Sequence, residues 1–186
     1  MLSKVKPAAN EFMKPLALKL VRSGIKPNHL SFVGLSTGLL AAYAVLVENF
    51  AVAAVLLLLS GFFDALDGAV ARFGGMVTEF GGFLDSVLDR YVDIAVFLAL
   101  AAKVDWLLST VAMAGALMVS YTRARAEKFL PRCDVGIAER GERMILIAIG
   151  LPTNAYAAIA VVAVLSHVTA LQRIVYTFRQ SKAADR

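Results

Sequence analysis

The sequence predicts an all-α integral membrane protein, six transmembrane helices preceded by an amphipathic helix lying on the membrane surface. Three observations predict it. The chain is 59% hydrophobic and 18% charged, with a mean hydropathy of +0.71. That is more apolar surface than one soluble core of 186 residues can bury. Apolar stretches of about 20 residues recur, the length a helix needs to cross a bilayer core of about 30 Å. Finally, Lys and Arg concentrate at the termini and on alternate connections, as the positive-inside rule requires. The length corresponds to one domain, 1–186, made of a juxtamembrane segment, 1–26, and a helical bundle, 27–178.

Residues 1–26 carry Lys4, Lys6, Lys14, Lys19, Arg22 and Lys26, but neither the apolar core nor the small-residue cleavage site of a signal peptide. Residues 3–22 fit the amphipathic surface helix, with Phe12, Leu16 and Leu20 toward lipid and the lysines toward phosphates. The first span, 28–47, is opened by Pro27 and Asn28. It places Gly34 and Gly38 four apart, which permits close helix packing. The next three spans are 50–72, 81–102 and 105–127. The fifth, 138–151, has a basic and amphipathic start and is closed by Pro152; the sixth is 154–177. The breaks at Glu48–Asn49, Gly74–Gly75, Lys103–Asp105, Pro131–Gly136 and Pro152–Asn154 are polar or turn-forming.

With both termini and the even-numbered connections in the cytoplasm, every Lys and Arg except Lys103 falls on that side or in the adjoining parts of the spans. A multi-pass protein of the cell membrane follows. Its net charge of +5 reads as a basic face against anionic lipids, with no nucleic-acid partner. The single Cys133 excludes an internal disulfide.

The chemistry lies in the stretch 64–89, DALDGAVARFGGMVTEFGGFLDSVLD. Asp64 and Asp67 are three apart and share a helix face. Gly68 and Ala71 continue that face almost without side chains, leaving room for a ligand, and Arg72 closes it. After Gly74–Gly75, Gly81, Asp85 and Asp89 again share one face at intervals of four. Two neighbouring antiparallel helices are thus expected to present four carboxylates at similar depth. Ionisable groups within spans mark function by default, and four crowded carboxylates repel strongly unless a cation sits between them. An all-oxygen set suits a hard divalent ion, Mg²⁺, Mn²⁺ or Ca²⁺. Room for two such ions would suit phosphoryl transfer. Asp93, one turn deeper, reads equally as a structural polar contact and is left outside the site.

The pattern D-x-x-D-G-x-x-A-R-x8-G-x-x-x-D-x-x-x-D fits Asp64, Asp67, Gly68, Ala71, Arg72, Gly81, Asp85 and Asp89 at every interval. It resembles the signature of the CDP-alcohol phosphotransferases. The resemblance implies a CDP-lipid donor bound through Mg²⁺, with Mn²⁺ as the alternative and two ions in the site, on Asp64, Asp67, Asp85 and Asp89. It implies that Gly68 and Ala71 admit the nucleotide, that Arg72 meets a phosphate, and that Thr78 and Asn28 lie on the nucleotide side. Asp89 would take the proton of the acceptor hydroxyl, which attacks the β-phosphorus as CMP leaves. The resemblance also implies a homodimer.

The acceptor is read from the second half. Arg123, Arg125, Arg140 and Arg143 gather at the cytoplasmic rim, and guanidiniums grip a phosphate monoester in bidentate fashion. The segments SYTRARAE and VGIAERGER resemble the subgroup that makes phosphatidylinositol phosphate or archaetidylinositol phosphate, whose acceptor is inositol 1-phosphate. By that likeness Ser120, Arg123, Arg125 and Arg140 bind its phosphate, with Arg143 and Arg173 as helpers. Some members carry Lys at the place of Arg123, which keeps the charge but changes the hydrogen-bond geometry. Glycerol 3-phosphate is the rival acceptor, since it too brings a phosphate. A divalent-cation transporter is the rival of another class. It fits less well, because the acids sit near one membrane face with no polar route to the other.

Overall fold

The computed structural model describes residues 6–131 and 133–184, and those residues form seven helices with no strand among them. They are α1 (Lys6–Arg22), α2 (Pro27–Leu46), α3 (Phe50–Phe73), α4 (Glu79–Lys103), α5 (Trp106–Ala126), α6 (Arg140–Gly150) and α7 (Ala155–Ala184). Polar side chains start several of them. Asn49 accepts from the backbone of Val52 at 3.2 Å, Thr78 from Gly81 at 3.0 Å and Asp105 from Leu108 at 2.6 Å, each satisfying an amide that the helix itself leaves open.

Four helices are long and apolar enough to cross a membrane: α2, α3, α5 and the 155–182 stretch of α7. α4 has the length, but Asp85, Asp89, Arg90 and Asp93 break its apolar run. α6 has 11 residues, which at about 1.5 Å per residue reach roughly half of a bilayer core. It begins two residues later than the sequence suggests, because Gly136 adopts φ 142° and the stretch to Glu139 is extended.

α2 is the hub of the bundle. α3 and α4 both pack along it, α5 packs on α4 and α7, and α6 bridges α3 and α7. α3 and α4 stand side by side, each packed along α2, with a gap between them. The two glycines of α2 make this possible. A Cβ at Gly34 would lie 3.5 Å from the Ser60 carbonyl oxygen of α3, and one at Gly38 would drive into Val92 of α4 at 2.5 Å. Ser60 Oγ also donates to the Gly34 carbonyl at 2.8 Å. One apolar core, including Ala41, Leu57, Val96, Ala116, Ile147 and Val162, joins the helices away from the gap; in a membrane such contact comes from close packing of small residues.

α1 docks on α3. Met13 and Ala17 are buried against Leu30, Leu66, Ala69 and Val70, and Leu20 joins them. Leu20 therefore faces α3 and not lipid, while Phe12 and Leu16 point outward, Phe12 at 85% exposure. Residues 3–5 of the expected surface helix lie outside the described residues.

Candidate active site

The four signature aspartates line the gap between α3 and α4, together with Ser31 and Gly34 of α2 and Arg140 of α6. Asp64, Asp85 and Asp89 each offer a carboxylate oxygen within 4.8 Å of the others. At an effective dielectric near 20, two unit charges at that distance repel by about 3.5 kcal/mol. Asp67 sits beside the trio and accepts from Ser31 Oγ at 2.5 Å, which turns its carboxylate toward α2. The donor set is anionic, all oxygen and partly desolvated. It fits a hard divalent cation, and Asp64, Asp85 and Asp89 are the residues that could hold one, with Asp67 adjacent.

Arg140 closes the gap from the other side. Its Nη1 lies 2.8 Å from Asp89 Oδ1 and 3.1 Å from Asp64 Oδ2, and its Nε lies 3.5 Å from Asp93 Oδ1. It reaches this place because α6 begins at Arg140 itself, directly after the extended stretch, and packs on α3. Behind it Asp93, 7% exposed, also pairs with Arg143 at 3.3 Å and Arg90 at 3.5 Å. Three guanidiniums, Arg90, Arg140 and Arg143, are thus paired with Asp64, Asp89 and Asp93, while Asp67 and Asp85 line the same gap.

Among the residues expected to border the nucleotide, Arg72 lies over Gly68: a Cβ there would come within 2.9 Å of its guanidinium. Ala71 follows on α3 next to Arg72. Thr78 is exposed and caps α4, and Gly81 leaves room for its hydroxyl. Asn28, in the first turn of α2, is exposed.

The acceptor-side residues separate into two groups. Ser120 and Arg123 share a face of α5, and Arg123 is paired with Glu127 at 2.9 Å and Asp134 at 3.0 Å. Arg125 is exposed at a cleft between α5 and α7. Arg143 and Arg173 are turned inward, 3% and 2% exposed. Arg143 donates to the Ala138 carbonyl and to Asp93. Arg173 donates to the carbonyls of Val135 at 2.8 Å and Val119 at 2.5 Å, and its Nη2 lies 4.0 Å from Glu139. Together with Thr169, whose Oγ1 accepts from the amides of Ile137 and Ala138, Arg173 sews the α5–α6 connection onto α7. These two arginines brace the frame from which Arg140 projects.

Sequence reading missed Ser31 and Glu139 and left Asp93 aside. Asp93 continues the Asp85–Asp89 stripe by one turn, a signal that was visible; the contacts of Ser31 with Asp67 and of Glu139 with Arg173 join segments distant in the chain and leave no local pattern.

A model of the CDP-alcohol phosphatidyltransferase family matches residues 25–178. The chain is 41% identical over 178 residues to the archaetidylinositol phosphate synthase of Pyrococcus horikoshii, covering 94% of this chain and 95% of that protein. It is 37% identical over 191 residues to the archaetidylinositol phosphate synthase of Methanothermobacter thermautotrophicus, with 98% and 96% covered. Among solved structures, it is similar to the phosphatidylinositol phosphate synthase of Mycobacterium tuberculosis with CDP-DAG bound, at TM-score 0.79 and 28% identity over 90% of this chain and 94% of that one. The same enzyme in complex with manganese and citrate aligns at TM-score 0.78, 28% identity, over 89% and 88%.

Proposed function

The chain belongs to the CDP-alcohol phosphatidyltransferase family, and from that premise we propose that it transfers a phosphatidyl-type group from a CDP-linked lipid to inositol 1-phosphate, releasing CMP. It is a membrane transferase of phospholipid biosynthesis. The reading of the acceptor rests on one observation. Arg140, a phosphate-seeking guanidinium, abuts both Asp64 and Asp89, so a phosphorylated acceptor gripped there has its hydroxyl beside the carboxylate cluster.

Asp64, Asp67, Asp85 and Asp89 hold the cations, two Mg²⁺ in this reading, with Mn²⁺ able to replace them. When bound, the divalent ions neutralise the donor's pyrophosphate and stabilise the leaving phosphate oxygen. Gly68 and Ala71 let the nucleotide approach α3. Arg72 meets a phosphate, and Thr78 and Asn28 border the nucleotide. Ser120, Arg123 and Arg140, with Arg125 at the rim, bind the acceptor's phosphate; Arg143 and Arg173 support them. Asp89 accepts the proton of an acceptor hydroxyl as that oxygen bonds to the β-phosphorus and the bond from phosphorus to the CMP oxygen breaks. No covalent enzyme intermediate is required.

α2 to α7 make six spans, α6 short and completed by its flanking turns, with both termini and the site on the cytoplasmic side where the basic residues collect. α1 lies at that surface. The enzyme is a homodimer, a reading that rests on family resemblance; the Gly34 and Gly38 face does not serve it, being consumed inside the bundle.

The test is purified protein with a CDP-lipid and a panel of labelled acceptors: inositol 1-phosphate, glycerol 3-phosphate, free inositol and serine. Turnover is expected with inositol 1-phosphate. Preferential turnover of glycerol 3-phosphate, or of an acceptor without a phosphate, overturns the assignment.

A further inference from the structure

We infer that Asp93 is a positioning residue that keeps Arg140 beside the active site by offering its guanidinium an anion outside the cation-binding set. The inference rests on the reading of Asp64, Asp85 and Asp89 as cation ligands. Arg140 Nη1 occupies oxygens of two of these three residues. A cation entering the trio competes for the same lone pairs and repels the guanidinium, so Arg140 must give up Asp64 and Asp89 without leaving the site.

Asp93 is placed to receive it. It lies outside the trio that clusters within 4.8 Å and is 7% exposed, so water contributes little to it. Its Oδ2 is engaged by Arg143 and Arg90, while Oδ1 faces Arg140 Nε at 3.5 Å. That Nε is buried and has no hydrogen-bond partner. A small shift of Arg140 away from Asp64 and Asp89 brings it into hydrogen-bond range of Asp93 and satisfies a donor otherwise left open. Arg143, anchored to the Ala138 carbonyl two residues before Arg140, keeps Asp93 and the start of α6 in register. One carboxylate therefore separates two roles: cation binding in the trio, and retention of the acceptor-side arginine next to it.

Among the described residues Arg140 is paired with Asp64, Asp89 and Asp93, so removing the charge of Asp93 throws it back on the two cation ligands, where it competes with metal. The experiment is Mn²⁺ binding to the full-length, chelator-stripped protein, read as free Mn²⁺ by electron paramagnetic resonance. Asp93→Asn is expected to weaken Mn²⁺ binding by about tenfold, the scale of partners that orient metal ligands. Adding Arg140→Gln to that variant is expected to restore the affinity, because the competitor is gone. A purely structural Asp93 would not be rescued in this way. Unchanged Mn²⁺ affinity in Asp93→Asn, or a double variant as weak as the single one, overturns the inference. Should Asp93→Asn not yield folded protein, Arg140→Gln alone is expected to bind Mn²⁺ several-fold more tightly than the wild type; equal or weaker binding overturns the inference as well. No acceptor enters these measurements, so a mistaken acceptor shows only as missing turnover with inositol 1-phosphate, while a wild type that binds no Mn²⁺ rejects the cation site itself.

Discussion

Arg140 and Asp89 form an ion pair of 2.8 Å across the gap between α6 and α4. It joins the arginine proposed to grip the acceptor's phosphate to the carboxylate proposed to take the acceptor's proton. In this arrangement the two proposed roles lie one hydrogen bond apart, which suits an acceptor whose phosphate and hydroxyl sit on one small ring.

Asp89→Asn keeps the shape of the side chain and removes its capacity to accept a proton. CMP release is expected to fall by about 10²- to 10⁴-fold, the usual contribution of a general base. CDP-lipid binding, measured separately by equilibrium titration, is expected to persist. Normal turnover in this variant rejects Asp89 as the base.

On the proposed assignment, Arg140→Ala removes a charge-assisted contact with the acceptor and leaves the donor's contacts in place. The KM for inositol 1-phosphate is expected to rise by about 10- to 100-fold, matching about 1.5–3 kcal/mol for a hydrogen bond to a charged group. The KM for the CDP-lipid should change little. Equal effects on both substrates, in steady-state kinetics varied over each in turn, would remove Arg140 from the acceptor side.

Chelation of divalent ions is expected to stop CMP release, and Mg²⁺ or Mn²⁺ to restore it. Helical content by circular dichroism should stay constant, since α2 to α5 are joined by packing well away from the carboxylates. Full activity after exhaustive chelation contradicts the proposed chemistry.

Ser31→Ala takes the hydroxyl from Asp67, which it orients at 2.5 Å. Cation affinity is expected to weaken by about tenfold, with the protein still folded and inserted. Titration with Mn²⁺ checks it; an unchanged affinity separates Asp67 from the cation site.

Gly136→Ala places a Cβ against the methyl of Thr169 at a backbone φ of 142°. Such a conformation costs a side chain about 1–3 kcal/mol. Thermal unfolding in detergent should show a lower Tm, and the acceptor KM should rise because Arg140 follows four residues later. A Tm equal to the wild type would mean that the connection relaxes freely.

Much of this architecture was legible in the chain, for identifiable reasons. The order of helices follows from apolar runs broken by Gly, Pro and paired polar residues, and Asn49, Thr78 and Asp105 stand where the helices start. Asp64, Asp67, Asp85 and Asp89 are readable because helical spacing puts each pair on one face. What stayed hidden depends on contacts between distant segments. No local period says that α3 and α4 meet through α2, that Ser31 answers Asp67, or that Arg173 is spent on the carbonyls of Val119 and Val135. The short α6 was obscured by the apolar run up to Leu151, which resembles the end of a full span until the extended stretch before Arg140 is seen.

The stitching of residues 135–138 onto α7 by Thr169 and Arg173 has a consequence for redesign. The segment that delivers Arg140 is shaped by a helix lying far downstream in the chain. Grafting residues 133–143 from a relative with a different substrate would import the arginine without its tailor. A working exchange needs the matching part of α7 and the Val119 turn of α5 carried across as one cassette.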